Sequence, residues 1–350
     1  MIALLLAVAC KPEPGTPPSG TSDTPPGPTT DGTDVIVPTP TDDTTDTDDT
    51  DPTDPTDPTD PTGTYTPPTG VDCSAPLPAP PLSYTTLEGW GTAEDFDFDG
   101  DGYHVSMRDA NLIRLNQDGD FAILSTGLDS FTSGTRVMPS GEVALSNSGQ
   151  NEVLRIDTTT GAQTVITAGI SYPNGIEVSR DGKWVYVASN GDGNVRQLDP
   201  ITGDAYVVAS DIGGANGLVL STDENTMFVT TCSGEGVWKI PRIDETTWGE
   251  PVVLWNAPGA YACIDGVNVD ACNNVYFTEY IAGKVRRMPA DGLSPAEVIV
   301  DLPSSWIPNM RWGVGVGGWD PNLLYVSDRD DGRLFAIDTQ IPGKKHVFAP

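Results

Sequence analysis

From residue 94 to 350 the chain alternates apolar and polar side chains in short runs, punctuated by Gly, Asp and Asn. Period-two alternation bounded by turn formers is the pattern of half-buried β-strands, and no stretch reads as a long amphipathic helix. The runs recur. Six segments share one form: a polar residue, often followed by Gly, an alternating strand, a Gly-containing turn and a second strand. They are "EDFDFDGDGYHVS" at Glu94, "SGTRVMPSGEVALSN" at Ser133, "NGIEVSRDGKWVYVASN" at Asn174, "NGLVLSTDENTMFVTTC" at Asn216, "DGVNVDACNNVYFTEY" at Asp265 and "WGVGVGGWDPNLLYVSD" at Trp312. The intervals are 39, 41, 42, 49 and 47 residues, the length of one four-stranded propeller blade. Third strands such as "NLIRLNQDG" and "EVLRIDTTTG" and fourth strands such as "AQTVITAGI" and "AYVVASDI" fill out each period. The sixth blade runs to "KKHVFAP", and the spare strand "LSYTTLEG" ahead of the first opening is available to complete it and close the ring. Residues 73–350 are therefore expected to form an all-β, six-bladed β-propeller.

Composition divides the chain near Cys73. Residues 11–72 are nearly all Thr, Pro, Asp, Gly and Ser, including "DPTDPTDPTDPT". That segment has too little apolar surface to offset the ordering cost, about 1–2 kcal/mol per residue, and reads as a disordered, self-repelling spacer. Residues 1–10, "MIALLLAVAC", are too short to span a bilayer and read as the end of a secretory signal. The run stops at Cys10 after Ala-Val-Ala, which resembles a bacterial lipobox, with Cys10 the lipidated residue and an ordinary signal peptide the alternative. An exported protein follows, either a bacterial outer-membrane or cell-surface lipoprotein or a secreted one. The formal net charge is -32. Fourteen of the 50 acidic residues and one of the 18 basic residues lie within the first 72, so the folded part is itself strongly negative. Nucleic acid is excluded as a direct partner, and membrane contact is limited to a lipid anchor.

In a propeller the innermost strand of each blade starts near the central axis, so Glu94, Ser133, Asn174, Asn216, Asp265 and Trp312 should converge on one end of the channel. Two carboxylates and two amide carbonyls are hard oxygen ligands of the kind Ca²⁺ prefers. The plainer reading makes each Asn or Asp a turn residue of its own blade. Glu is not a turn residue, and Glu94 occupies the same register.

This set resembles the family of senescence marker protein 30, gluconolactonase and the luciferin-regenerating enzyme, and is similar to diisopropyl fluorophosphatase. The resemblance implies a six-bladed propeller with one divalent cation in the channel. It maps the principal ligands onto Glu94, Asn216 and Asp265, and an additional Asn beside the metal or substrate onto Asn174. A small polar or acidic residue five positions after each (Asp99, Ser179, Ser221, Asp270) fits the same frame. The resemblance further implies a metal-dependent hydrolase of a lactone or similar ester, Ca²⁺ as the leading cation with Mg²⁺, Mn²⁺ and Zn²⁺ as alternatives, Asp265 as the catalytic carboxylate, and a small-molecule substrate taken by a monomer. Where sugar-lactone hydrolases carry Arg two residues before the additional Asn, this chain has Tyr172. With Ser133 and Trp312 also assigned to the substrate channel, the expected substrate is less polar than gluconolactone. The rival is a non-catalytic propeller of the NHL kind, binding protein or glycan on its channel face.

Three local patterns carry less. Asp97, Asp99, Asp101 and Gly102 imitate the start of an EF-hand loop, but Arg108 stands where its bidentate Glu belongs, so a hairpin turn is expected. The acidic run in "WDPNLLYVSDRDDGRL" reads as solvated turns, and His104 and His346 as structural. With Cys10 set aside, four cysteines allow three pairings. Strand order puts Cys232 and Cys263 at one end of the ring and Cys73 and Cys272 at the other, which predicts those two disulfides.

Overall fold

The computed structural model describes residues 67–348 apart from 234–235, 258–262 and 290–291; the signal segment, Cys10 and nearly all of the spacer lie outside the described residues. Six four-stranded antiparallel sheets follow one another as blades. Their inner strands are Phe96–Phe98, Gly134–Val137, Pro173–Val178, Ala215–Leu220, Ile264–Val269 and Met310–Trp312. The first five blades are consecutive meanders. In the sixth, Met310–Trp312, Leu323–Asp328 and Arg333–Asp338 are joined by Tyr84–Leu87 as the outer strand, with Tyr84 opposite Ile337 and Leu87 opposite Leu334. The expected closing strand is thus in place, and the ring has no free edge there.

Burial explains the spacing of the apolar residues. Each of six apolar clusters fills one junction between neighbouring blades; Val105, Leu112, Val137 and Leu145 share the first, and Phe98, Trp319, Tyr325 and Ala336 the one that joins the sixth blade to the first. Trp319 is fully buried there, its ring 4.5 Å from Phe98 and its Nε1 donating to the Gly102 carbonyl at 2.8 Å.

The dipeptides that open the middle blades are not turns. Pro173 faces Ser189 and Ile176 faces Val187, so three steps on the inner strand oppose two on its partner, and Asn174-Gly175 forms the bulge between them. Asn216-Gly217 and Asp265-Gly266 occupy the same irregularity in the next two blades. A bulge re-aims a side chain and leaves the ladder locally unpaired. Hydroxyls from the second strands repair it: Thr230 donates to the carbonyls of Gly217 and Asp265, and Thr278 Oγ1 accepts from the Gly266 N–H at 3.0 Å. The glycines serve close approach. A Cβ on Gly175 would strike the Asn216 carbonyl oxygen and sit 2.8 Å from the Gly217 Cα, and one on Gly217 would strike the Asp265 carbonyl.

The polar residues five positions on have a separate job. Asp99 Oδ1 accepts from the N–H groups of Asp101 and Tyr103, Ser179 Oγ from Trp184, Ser221 Oγ from Thr226, and Asp270 Oδ1 from Cys272 and Asn274. They organise the first hairpin turn of the first, third, fourth and fifth blades, at the end of the channel away from the opening residues, and the EF-hand-like run is one of these turns. Cys73 is joined to Cys272, and Cys232 to Cys263, the pairs predicted from strand order.

The C-terminal stretch departs from expectation. It is not a strand of the sixth blade but a strap across the turn end of the channel. Ala271 N–H donates to the Pro342 carbonyl at 2.8 Å and Lys344 N–H to the Val269 carbonyl at 3.1 Å. Lys344 Nζ reaches Glu177 and the Leu220 carbonyl, both at 3.2 Å, and His346 Nε2 lies 3.3 Å from Asp97.

Gly217→Ala is expected to cost about 1–3 kcal/mol through overpacking, lowering Tm by roughly 3–10 °C. Gly213→Ala, where the nearest atom to an added Cβ is 3.7 Å away, should leave Tm within about a degree; equal shifts would show that blade approach is not the constraint. Cys73→Ser, opening a crosslink between residues 199 apart, is expected to cost about 2–5 kcal/mol by denaturant unfolding.

Candidate functional site

Five of the six predicted positions meet at one end of the channel. Backbone contacts between adjacent inner strands set their level: the Asn174 carbonyl lies against Gly134, Asn216 against Gly175, and Asp265 against Gly217. In the sixth blade the equivalent contact to Gly266 comes from Pro308, whose carbonyl accepts from the Gly266 N–H at 2.7 Å. Pro308 therefore opens that blade and Asn309 follows it. Trp312 is not at the mouth. It ends the sixth inner strand, buried against Tyr276 with its Nε1 donating to Thr339 Oγ1 at 3.1 Å, toward the strap. The glycine-spaced run after Trp312 imitates an alternating strand in the sequence, whereas the strand has already finished.

The mouth holds two carboxylates, Asp265 buried and Glu94 partly buried. Burial first, and then the nearby charge of Glu94, push the Asp265 carboxyl well above the usual carboxylate range. Glu94 is raised by burial as well, against the pull of Arg329. Asn174 and Asn216 are buried beside them, and Asn216 Oδ1 has no hydrogen-bond partner. An orphaned buried acceptor costs about 1–3 kcal/mol. Ser133 is buried, accepting from Ser148 Oγ at 2.9 Å, and Tyr172, partly exposed at a left-handed φ of 49°, has its hydroxyl on Ser133. Burial followed by the charge of Glu94 raises the Tyr172 phenol. Among the described residues no group of three or more His, Cys, Asp or Glu side chains converges as a metal cage. A cation at this mouth would be held by two carboxylates and amide oxygens, a donor set that suits a hard divalent ion and would satisfy Asn216 Oδ1.

The sequence reading missed Arg329. It lies in the run assigned to solvated turns, yet its guanidinium forms an ion pair with Glu94 and donates to the Tyr280 hydroxyl at 3.0 Å. Tyr280 in turn packs edge-on against Trp306. The preceding Asp328 is fully buried, accepting from Ser304 and Arg333, so this turn is a built element. A lone basic residue between Asp328 and Asp330 was the available signal, and nothing in its local pattern says that it faces the axis.

A second charged layer lies beneath the mouth. Asp95 sits between Arg136 (2.6 Å) and Arg311 (3.4 Å); burial raises its carboxyl to about 7 despite Arg136. Burial opposes the charge on Asp97 too, but its hydrogen bond from His346 and the charges of His346 and Arg136 prevail and lower it. Below this layer a cavity of about 60 Å³, room for a few waters, is walled by Glu177, Arg180, Glu224 and Trp312 and floored by Lys344 and His346. His104 takes no part: it stacks on Phe96 at 4.8 Å, and burial lowers its pKa to about 3.

Residues 187–329 match the model of the SMP-30/Gluconolactonase/LRE-like region. That span includes Asn216, Asp265 and Arg329; Glu94 and Asn174 precede it. No curated protein matches the chain. Among solved structures, a gluconolactonase from Xanthomonas campestris is 17% identical, with TM-score 0.60 over 77% of this chain and 99% of that one. The calcium-binding protein regucalcin from Agrobacterium tumefaciens is 16% identical, with TM-score 0.60 over 76% and 96%. An auxiliary nutrient binding protein from Bacteroides thetaiotaomicron is 14% identical, with TM-score 0.58 over 73% and 72%. At these identities the likeness is one of fold.

Because Asp265 keeps its proton to higher pH in the folded protein than in the unfolded chain, its ionisation opposes folding. The penalty is absent below the ordinary value of 3.8 and grows as pH rises toward the raised pKa. In chelator-treated protein, Asp265→Asn is expected to match the wild-type Tm near pH 4 and to exceed it increasingly toward pH 8. Parallel Tm curves would show that the carboxylate is not held in an unfavourable buried pair.

Proposed function

We propose that this chain, whose residues 187–329 match the SMP-30/Gluconolactonase/LRE-like region, is a divalent-cation-dependent hydrolase of a lactone or similar ester, acting at the channel mouth. The reading rests chiefly on one observation. The partly buried Glu94 and the buried Asp265 lie together beside the unpartnered Asn216 Oδ1, at the open end of a channel whose other end is strapped.

Glu94, Asn174, Asn216 and Asp265 would hold the cation, with Ca²⁺ favoured by an all-oxygen donor set that contains no His or Cys. When bound, a divalent ion polarises a carbonyl oxygen and acidifies a neighbouring water. Asp265 then takes the proton from the water that adds to the carbonyl, returning it to the leaving alcohol oxygen as the ring or ester opens. Ser133 and Tyr172 line the approach, the Tyr172 hydroxyl giving a neutral polar contact where the sugar-lactone enzymes carry a cation. The two disulfides agree with an exported protein in an oxidising compartment.

Metal analysis of purified full-length protein is expected to find about one divalent ion, with thermal stability lost on chelation and restored by calcium. Glu94→Gln should abolish both the metal and the chelator response. Asp265→Asn should reduce turnover of a lactone and ester panel by at least about 10²-fold while the chain still folds. A protein that takes up no metal and hydrolyses nothing would be the binding module instead.

A further inference from the structure

A buried and a partly buried carboxylate at one mouth need a counter-charge when ionised, because an uncompensated buried ion is strongly destabilising. In this chain Arg329 supplies it. Its guanidinium is paired with Glu94 and reaches the Tyr280 hydroxyl at 3.0 Å. Yet the side chain remains 42% exposed at the rim. With both carboxylates ionised, as a bound cation would require, one guanidinium leaves the mouth with one negative charge in excess. A divalent ion between the same carboxylates leaves it with one positive charge in excess, and the guanidinium is then no longer needed by Glu94.

We propose that Arg329 is an exchangeable counter-ion: it competes with the divalent cation for Glu94, and once displaced it receives a carboxylate or comparable anionic group on the incoming small molecule. The inference rests on the proposed cation site and adds the class of ligand to it. The surroundings suit this exchange. Other basic groups of the channel wall are committed further down, Arg136 and Arg311 to Asp95 in the layer beneath, and below it Lys344 to Glu177 and Arg180 to the Thr222 carbonyl. Tyr280 and Trp306 beside Arg329 form an aromatic wall on which the apolar part of an acid could lie. The planar guanidinium matches a carboxylate with two parallel hydrogen bonds, which a single Tyr280 hydroxyl does not use up.

Isothermal titration calorimetry on the full chain separates the possibilities. Wild type, Arg329→Gln and Arg329→Lys are titrated first with calcium, then, calcium-loaded and metal-free, with benzoate and with benzyl alcohol as its uncharged counterpart. Removing a competing cation should tighten calcium binding in Arg329→Gln by about tenfold or more, whereas Arg329→Lys should stay near wild type. Benzoate should bind wild type only when calcium is loaded, and at least about tenfold more weakly to Arg329→Gln, with benzyl alcohol indifferent to the substitution. Equal calcium affinity in wild type and Arg329→Gln, or benzoate binding untouched by the substitution, would overturn the role of Arg329 while leaving the cation site standing. No calcium binding by wild type would overturn the cation site itself, and this inference with it.

Discussion

Six inner strands can crowd around one axis only where backbone meets backbone, and the whole site depends on that crowding. At Gly175, Gly217 and Gly266 the carbonyl or Cα of the next blade occupies the space a side chain would need. The same crowding forces the bulges that turn Asn174, Asn216 and Asp265 toward the axis. Structure and chemistry share one dipeptide: the glycine brings the blades together, and the residue before it is delivered to the mouth. In the first and sixth blades the glycine is replaced by Asp95 and Asn309; both side chains engage Arg311, Asp95 across that junction and Asn309 within the sixth blade.

Charge is layered along the channel in an order that burial makes consequential. At the mouth, two carboxylates share one guanidinium, and that pairing is partly exposed to exchange. In the layer beneath, Asp95 and Asp97 are held by Arg136, Arg311 and His346, with little access to water. Ion pairs in such a setting gain little net stability but fix a unique arrangement once formed. The lower layer is therefore a rigid base, and the upper one is where a ligand can change the balance.

Most of the fold was legible in the sequence, because period-two alternation and a regular turn spacing survive without any knowledge of contacts. The cysteine pairs followed from strand direction alone, since each end of the ring receives a fixed set of loops. Trp312 was misplaced because Gly-spaced apolar residues after it satisfy the alternation while the backbone has already left the sheet. Asp99, Ser179, Ser221 and Asp270 looked like part of a site because turn residues repeat with the blade. Arg329 was invisible for the opposite reason: its meaning comes from the first blade, to which only ring closure brings it.

That closure has a kinetic side. The outer strand of the last blade, Tyr84–Leu87, precedes every other strand of the ring, while its partner Arg333–Asp338 is the last to be made. Until both are present, an incomplete ring offers an open sheet edge at each end, the kind of surface that pairs with the wrong neighbour. A pairing between segments so distant along the chain is slow to find. Until closure, those two edges are therefore the surfaces of this chain most open to pairing with other chains.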